Sequence, residues 1–279
     1  MKMYYINSAG TRINFDGGAL RITEYDLRNY SWNYTPVANA NGNGGRVSRF
    51  TAPISEKALT VLARGRKKQD CIDALEALLA ATEVDIAAVA PGKFYFNDEY
   101  ISCYLAIGSE VTYWQDGFFY AKKTLTMLAV STFWCTEQIH TFNAGGIAAS
   151  EYGKRYDGRY AYQYGTGYAN ISFTNSHYTD SPAIITIYGP CVDPSIYIAD
   201  NHYGVTASIA ANEYIVIDQV QRTVYKVDAR GNKINLFDQR DKESDVFKHI
   251  PAGLVSALYT GDFGFEVKLI QRRREPKWT

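Results

Sequence analysis

Only one stretch of this 279-residue chain, Lys67–Ala81, carries its apolar residues at helical spacing. There Ile72, Leu75, Leu78 and Leu79 recur three and four positions apart and form one stripe, the core face of a helix. Asp70 and Asp73 fall in its early turns, where the helix dipole favours negative charge. Asp85–Ala90 adds a further turn before Pro91-Gly92 ends it. Nearly everything else reads as short alternating runs between turn residues. Met3–Asn7 and Thr11–Phe15 flank Ser8-Ala9-Gly10, Phe94–Phe96 and Tyr100–Ile107 flank Asn97-Asp98, and Phe118–Val130 is one long run. Later come Ala183–Tyr188, Ser195–Ala199, Glu213–Ile217, Thr223–Asp228, Lys233–Phe237 and Phe263–Leu269. In the last, Phe263, Phe265, Val267 and Leu269 share one face. Such a chain folds as mainly β with one principal helix. Its second half, with strands and no second helix, reads as a β-sandwich or jelly roll. Two domains are expected, 1–140 and 141–279, with the last residues of the second able to pack back on the first. The 23 tyrosines agree, because Tyr suits pleated, half-buried surfaces and interfaces.

Residues 33–45, Asn-Tyr-Thr-Pro-Val-Ala-Asn-Ala-Asn-Gly-Asn-Gly-Gly, lose the most entropy on ordering of any stretch in the chain. Tyr30–Tyr34 and Arg46–Phe50 flank them and can pair as strands. The pattern predicts a protruding hairpin arm over about 30–52; the alternative is a disordered surface loop. The arm's candidate contacts with a neighbouring subunit are Tyr34, Val37, Asn41, Gly42, Gly44, Gly45, Arg46 and Phe50. Six further tyrosines, Tyr152, Tyr156, Tyr160, Tyr162, Tyr164 and Tyr168, are expected to pack at a domain or subunit junction.

Several chemistries lack their sequence signals. Lys+Arg and Asp+Glu are equal at 29 each, and both halves balance separately, so neither is the basic domain that nucleic-acid binding calls for. No run approaches the roughly 20 apolar residues of a membrane span. Met1–Gly10 has no apolar core of the signal-peptide kind, so folding in a cytoplasm is expected. Cys71, Cys103, Cys135 and Cys191 form no CxxC and are expected as reduced, buried thiols. His140, His177, His202 and His249 are isolated in sequence, with no metal-ligand spacing. There is no GxSxG, and Gly42-Asn43-Gly44-Gly45 lacks the Lys of a phosphate loop. The acids of Asp238–Asp245 alternate with Arg240 and Lys242 and read as a solvated loop. His202-Tyr203 and His177-Tyr178 are of the type that binds sugar on a sandwich, but read first as turns at strand ends. No catalytic, metal or cofactor residue is assigned, and no enzyme is expected.

The order of features nevertheless resembles a known family. Pro91-Gly92-Lys93-Phe94-Tyr95-Phe96-Asn97-Asp98-Glu99-Tyr100-Ile101-Ser102-Cys103-Tyr104 follows the helix. Then come Ile187-Tyr188-Gly189-Pro190 with Asp193-Pro194, Ile250-Pro251-Ala252-Gly253, and Arg272-Arg273-Arg274-Glu275-Pro276-Lys277-Trp278. Taken in order, over nearly the whole chain, these short motifs resemble the distal tail proteins of long, non-contractile-tailed bacteriophages and prophages. The resemblance implies a homo-hexameric ring at the tail tip, made in the host bacterial cytoplasm. In it the N-terminal domain builds the ring, an arm embraces the next subunit, and a galectin-like sandwich faces outward. The implied partners are the tail tube protein, the tail-associated lysin or tape-measure end, and a receptor-binding protein, with DNA only in transit and no membrane. A carbohydrate- or receptor-binding sandwich of the tail tip is the alternative. Trp278 is the only Trp of the second half, so a galectin-like sugar pocket is not expected.

Overall fold

The computed structural model describes residues 1–115, 118–144 and 169–278. They divide into two compact units: Met1–Thr136 with Arg272–Thr279, and Glu137–Gln271. The fold is mainly β, with one α-helix among the described residues. The tyrosines at 152, 156, 160, 162, 164 and 168 lie outside the described residues.

The first unit contains β1 (Met3–Ile6), β2 (Arg12–Asn14), β3 (Leu20–Tyr25), β4 (Asn33–Ala38), β5 (Gly45–Thr51) and β6 (Ser55–Gly65). Helix α1 (Lys68–Ala88) and then β7 (Gly92–Phe96), β8 (Glu99–Gln115), β9 (Phe118–Ala129) and the start of β10 (Trp134–Phe142) follow. Seven strands pair antiparallel in the order β2-β1-β7-β8-β9-β6-β3. Between β2 and β3, Phe15 N–H donates to Met3 O at 2.8 Å and Asp16 bridges Arg21, which draws the two outer strands together. Alternate side chains point inward, as a strand's period of two demands: Met3 and Tyr5, Leu59, Val61 and Ala63, Phe94 and Phe96, Ile101, Cys103 and Leu105, Leu125 and Met127. Trp134 closes this core edge-on to Phe94 and Phe96.

Helix α1 packs on β6, β8 and β9. Asp70 Oδ2 accepts from Lys67 N–H at 3.0 Å, which occupies a donor at the start of the helix and sets a carboxylate at the positive end of the dipole. The buried face runs through Cys71, Leu78, Ala81, Thr82 and Asp85. Leu75 packs half-buried against it, Ile72 is half-buried, and Leu79 is 38% exposed. The stripe is thus turned away from Leu79, because the small side chains of Cys71, Ala74, Ala81 and Thr82 let the helix lie close to the sheet. The helix ends seven residues beyond Ala81, with Val89 in the left-handed conformation (φ 50°) and 80% exposed. A β-branched side chain is strained there, where glycine is not. Val89→Gly should therefore raise the stability of this unit by about 1 kcal/mol, read as a higher urea midpoint at unchanged slope.

The second unit holds the rest of β10, then β11 (Ala169–Asn175), β12 (Ala183–Tyr188), β13 (Cys191–Val192), β14 (Ser195–Ile198), β15 (Asn201–Gly204) and β16 (Ser208–Ile209). It continues with β17 (Tyr214–Asp218), β18 (Thr223–Val227), β19 (Lys233–Asn235), β20 (Gly253–Tyr259) and β21 (Gly264–Arg273). One sheet has the order β19-β18-β17-β12-β21-β10 and the other β11-β20-β14-β15, with β13 and β16 paired separately. Ile185, Ile187, Ile215, Ile217, Phe265, Val267 and Leu269 line the inner face of the first. Phe173, Ile196, Ile198, Tyr203, Val255, Ala257 and Tyr259 line that of the second. The two faces form one hydrophobic core, the arrangement of a β-sandwich. All four cysteines of the chain are buried and none is in a disulfide.

Candidate assembly surface

Strands β4 and β5 belong to neither core. They pair only with each other, in the register Asn33↔Thr51 to Ala38↔Gly45, and every residue of both is exposed. The register slips by one residue between Thr35 and Pro36, where proline has no N–H for the ladder. Gly42 (φ 74°) and Gly44 (φ 69°) make the turn, closed by Gly42 N–H to Asn39 O at 3.0 Å and Asn39 N–H to Gly44 O at 3.1 Å. Asn39 Nδ2 donates to Asn43 O at 2.9 Å and Asn43 N–H to Asn41 Oδ1 at 3.1 Å, so the asparagines supply the loop's hydrogen bonds. Gly45 is held for a different reason: a Cβ there would lie 2.5 Å from Val37 O.

The arm's exposed surface is rich in large apolar side chains. Tyr34 is 63% exposed, Phe50 59% and Trp32 44%, with Val37 and Val47 also in solvent, and Arg46 and Arg49 interleaved. A lone two-stranded ribbon is marginal in water, and its outer edges present unpaired backbone groups. Such a ribbon persists where its root is anchored and its surface is covered by a partner.

The root is anchored. Arg274 stacks its guanidinium on Trp32 at 3.7 Å and on Phe133 at 4.3 Å, and donates to Thr132 O at 2.9 Å. Trp32 also meets Phe50 edge-on at 6.0 Å. Burial lowers the tendency of Arg274 to hold its proton, with the neighbouring Tyr30 acting the other way. The buried Lys57 reaches Asn29 O beneath the arm, with its pKa pulled down by burial and pushed up by Asp26. The C-terminal residues complete this platform: Lys277 N–H donates to Glu99 Oε2 at 2.7 Å, and Arg28 stacks on Trp278 at 4.2 Å. Trp278 therefore belongs to the first unit rather than to the sandwich.

The structure brings the arm candidates Tyr34, Val37, Asn41, Gly42, Gly44, Gly45, Arg46 and Phe50 onto one hairpin, each of them exposed. Sequence reasoning missed the root, Trp32, Phe133 and Arg274. Its signal was an Arg-rich C-terminal segment and a Trp just ahead of the arm, far apart in the chain.

No protein-family model matches the sequence, and no curated protein does either. Solved structures do match. The SPP1 Dit (gp 19.1) protein, a paradigm of the hub adsorption apparatus in Gram-positive-infecting phages, superposes with a TM-score of 0.59 over 98% of both chains at 12% identity. The chain has the fold of that Dit protein. A chain of the phage P2 baseplate in its activated, calcium-containing conformation matches with a TM-score of 0.60 at 13% identity, over 99% of each chain. The strontium form of the phage p2 baseplate gives 0.61 at 14%, again over 99% of each chain.

Proposed function

We propose that this chain is a structural protein of a phage tail tip that forms a homo-hexameric ring joining the tail tube to the host-adhesion apparatus. The observation that carries this reading is the anchored, wholly exposed apolar arm, on a chain that shares the Dit fold from end to end. The arm of one copy meets a different surface on the next. Such a head-to-tail contact generates a ring when its rotation closes. The first unit then builds the ring, and the sandwich offers an outward platform for a receptor-binding protein. The tail tube protein stacks on one side and the tail-associated lysin or tape-measure end on the other, with DNA passing through in transit. The balanced charge of the chain suits a subunit that stacks on other rings without strong self-repulsion.

The experiment is light scattering and negative-stain imaging of the purified protein. The expected result is rings of about six copies, about 190 kDa for a 31.3 kDa chain. A species of one chain's mass at every concentration would count against the reading.

A further inference from the structure

Three side chains from separate segments of the sandwich meet on the outward face of its second sheet. Ser195 Oγ lies 2.6 Å from His202 Nε2, and His202 Nδ1 lies 2.6 Å from Asp241 Oδ2. Ser195 and His202 stand on adjacent strands, β14 and β15, at positions that alternate with the buried Ile196 and Tyr203. Asp241 comes from the loop after β19 and is tied to β15 by its N–H donating to Gly204 O at 2.9 Å.

The proton positions follow from the partners. A carboxylate accepts only, so His202 Nδ1 carries the hydrogen. In the neutral ring Nε2 then accepts from the Ser195 hydroxyl. Asp241 is itself held: Glu243 N–H donates to Oδ1 at 2.9 Å, and Ser244 Oγ sits 2.7 Å from Oδ2. These bonds and the one to His202 lower its pKa to about 2, so it is charged at neutral pH. The ring is fixed on its faces as well. Tyr197 stacks on it at 4.5 Å, and Gly204 leaves the space it fills, since a Cβ there would lie 2.7 Å from Cε1.

We propose that Ser195, His202 and Asp241 form a hydrolytic triad acting on short-chain carboxylic esters. The sequence expectation of no enzyme rested on the lack of a linear motif, but this constellation is recognised by geometry and can arise on any fold. Ser195 Oγ attacks the ester carbonyl carbon while His202 Nε2 takes its proton. The tetrahedral adduct expels the alcohol, whose oxygen receives that proton, and the acyl group stays on Ser195. Water then attacks the acyl carbon, giving a proton to His202. Collapse releases the carboxylic acid as Ser195 Oγ regains its hydrogen. Ester and water thus become acid and alcohol. Asp241 acts as a positioning residue, holding the tautomer and the imidazolium. The substrate class follows from the surroundings: an open sheet face where Tyr197 and the exposed Leu258 lie side by side in register. That face suits a short acyl group on a large or exposed alcohol rather than a lipid chain.

The test uses the full chain and does not depend on its assembly state. A fluorophosphonate probe is added and the labelled peptide identified by mass spectrometry; p-nitrophenyl acetate and p-nitrophenyl palmitate hydrolysis are followed in parallel. Label on Ser195 is expected, with hydrolysis of the acetate and not the palmitate. Ser195→Ala should abolish both signals. His202→Ala and Asp241→Asn should lower the rate by about 100-fold or more. Gly204→Ala, which displaces the ring without removing a reacting group, should lower kcat more than KM. Ser195→Ala removes one half-buried hydroxyl and is expected to fold, which circular dichroism checks. Absence of label on Ser195, or equal hydrolysis by the wild type and Ser195→Ala, overturns the proposal.

Discussion

A triple variant, Tyr34→Ser, Val37→Ser and Phe50→Ser, should stay folded and lose self-association. Each apolar side chain that leaves water at a contact contributes about 1.5–3 kcal/mol. Three lost together amount to about 5 kcal/mol or more, hence a dissociation constant raised by about 10³-fold or more. Both strands of the arm are exposed throughout and contribute nothing to either core, so thermal melting should move little. Removing residues 37–45 is the stricter version, because it takes away the turn and the free edge of the ribbon while leaving the Arg274–Trp32 root in place. Light scattering gives the mass and circular dichroism the fold. A deletion variant that associates as well as the parent would remove the arm from the assembly mechanism.

The arm was legible because its signals are local: two short runs of strand formers around an Asn-Gly tract. The structured hairpin reaches further into that tract than expected, with β4 ending at Ala38, because the asparagine amides tie the loop to itself. The helix was legible by its period, and its further turn by the stop at Pro91-Gly92, but not its facing or its continuity through residues 82–84. Its last buried positions, Thr82 and Asp85, are polar and carry no hydrophobic signal, so the apolar pattern stops at Ala81 while the helix continues to Ala88. Strand β20 gave a poor signal for the opposite reason. Leu254 and Leu258 face outward beside the buried Val255, Ala257 and Tyr259, so the alternation of period two is hidden. The loop Asp238–Asp245 read as solvated acids balanced by bases. In the fold Asp241 is bound to His202, a pairing across 39 residues that no local pattern marks.

The largest loss of stability is expected at a polar group that the sequence pattern passed over. Asp85 is fully buried on α1, under the sheet of the first unit. Its Oδ2 accepts from the hydroxyl of Tyr5, which is also fully buried, and its Oδ1 accepts from Ser8 N–H at 2.6 Å. Burial first, and then the bond to Asp85, keep the Tyr5 hydroxyl protonated far above its ordinary range. Asp85→Ala strands the Tyr5 hydroxyl in a dry site, takes the partner from the N–H of the exposed Ser8 and leaves a small cavity. A buried donor left unsatisfied costs about 1–3 kcal/mol and an ordinary bond about 0.5–1.5 kcal/mol, so the loss should be about 2–4 kcal/mol. Tyr5→Phe removes one donor only and should cost about 2 kcal/mol. Because the two groups satisfy each other, the double variant should cost less than the sum of the single ones. Gly92→Ala tests the same strut by shape: its Cβ would lie 2.4 Å from the Tyr5 hydroxyl, with no exposed side chain free to yield. Urea unfolding followed by tryptophan fluorescence reads this unit directly, since Trp134 lies in its core. An Asp85→Ala midpoint within error of the parent would mean that the helix is held to the sheet by apolar packing alone.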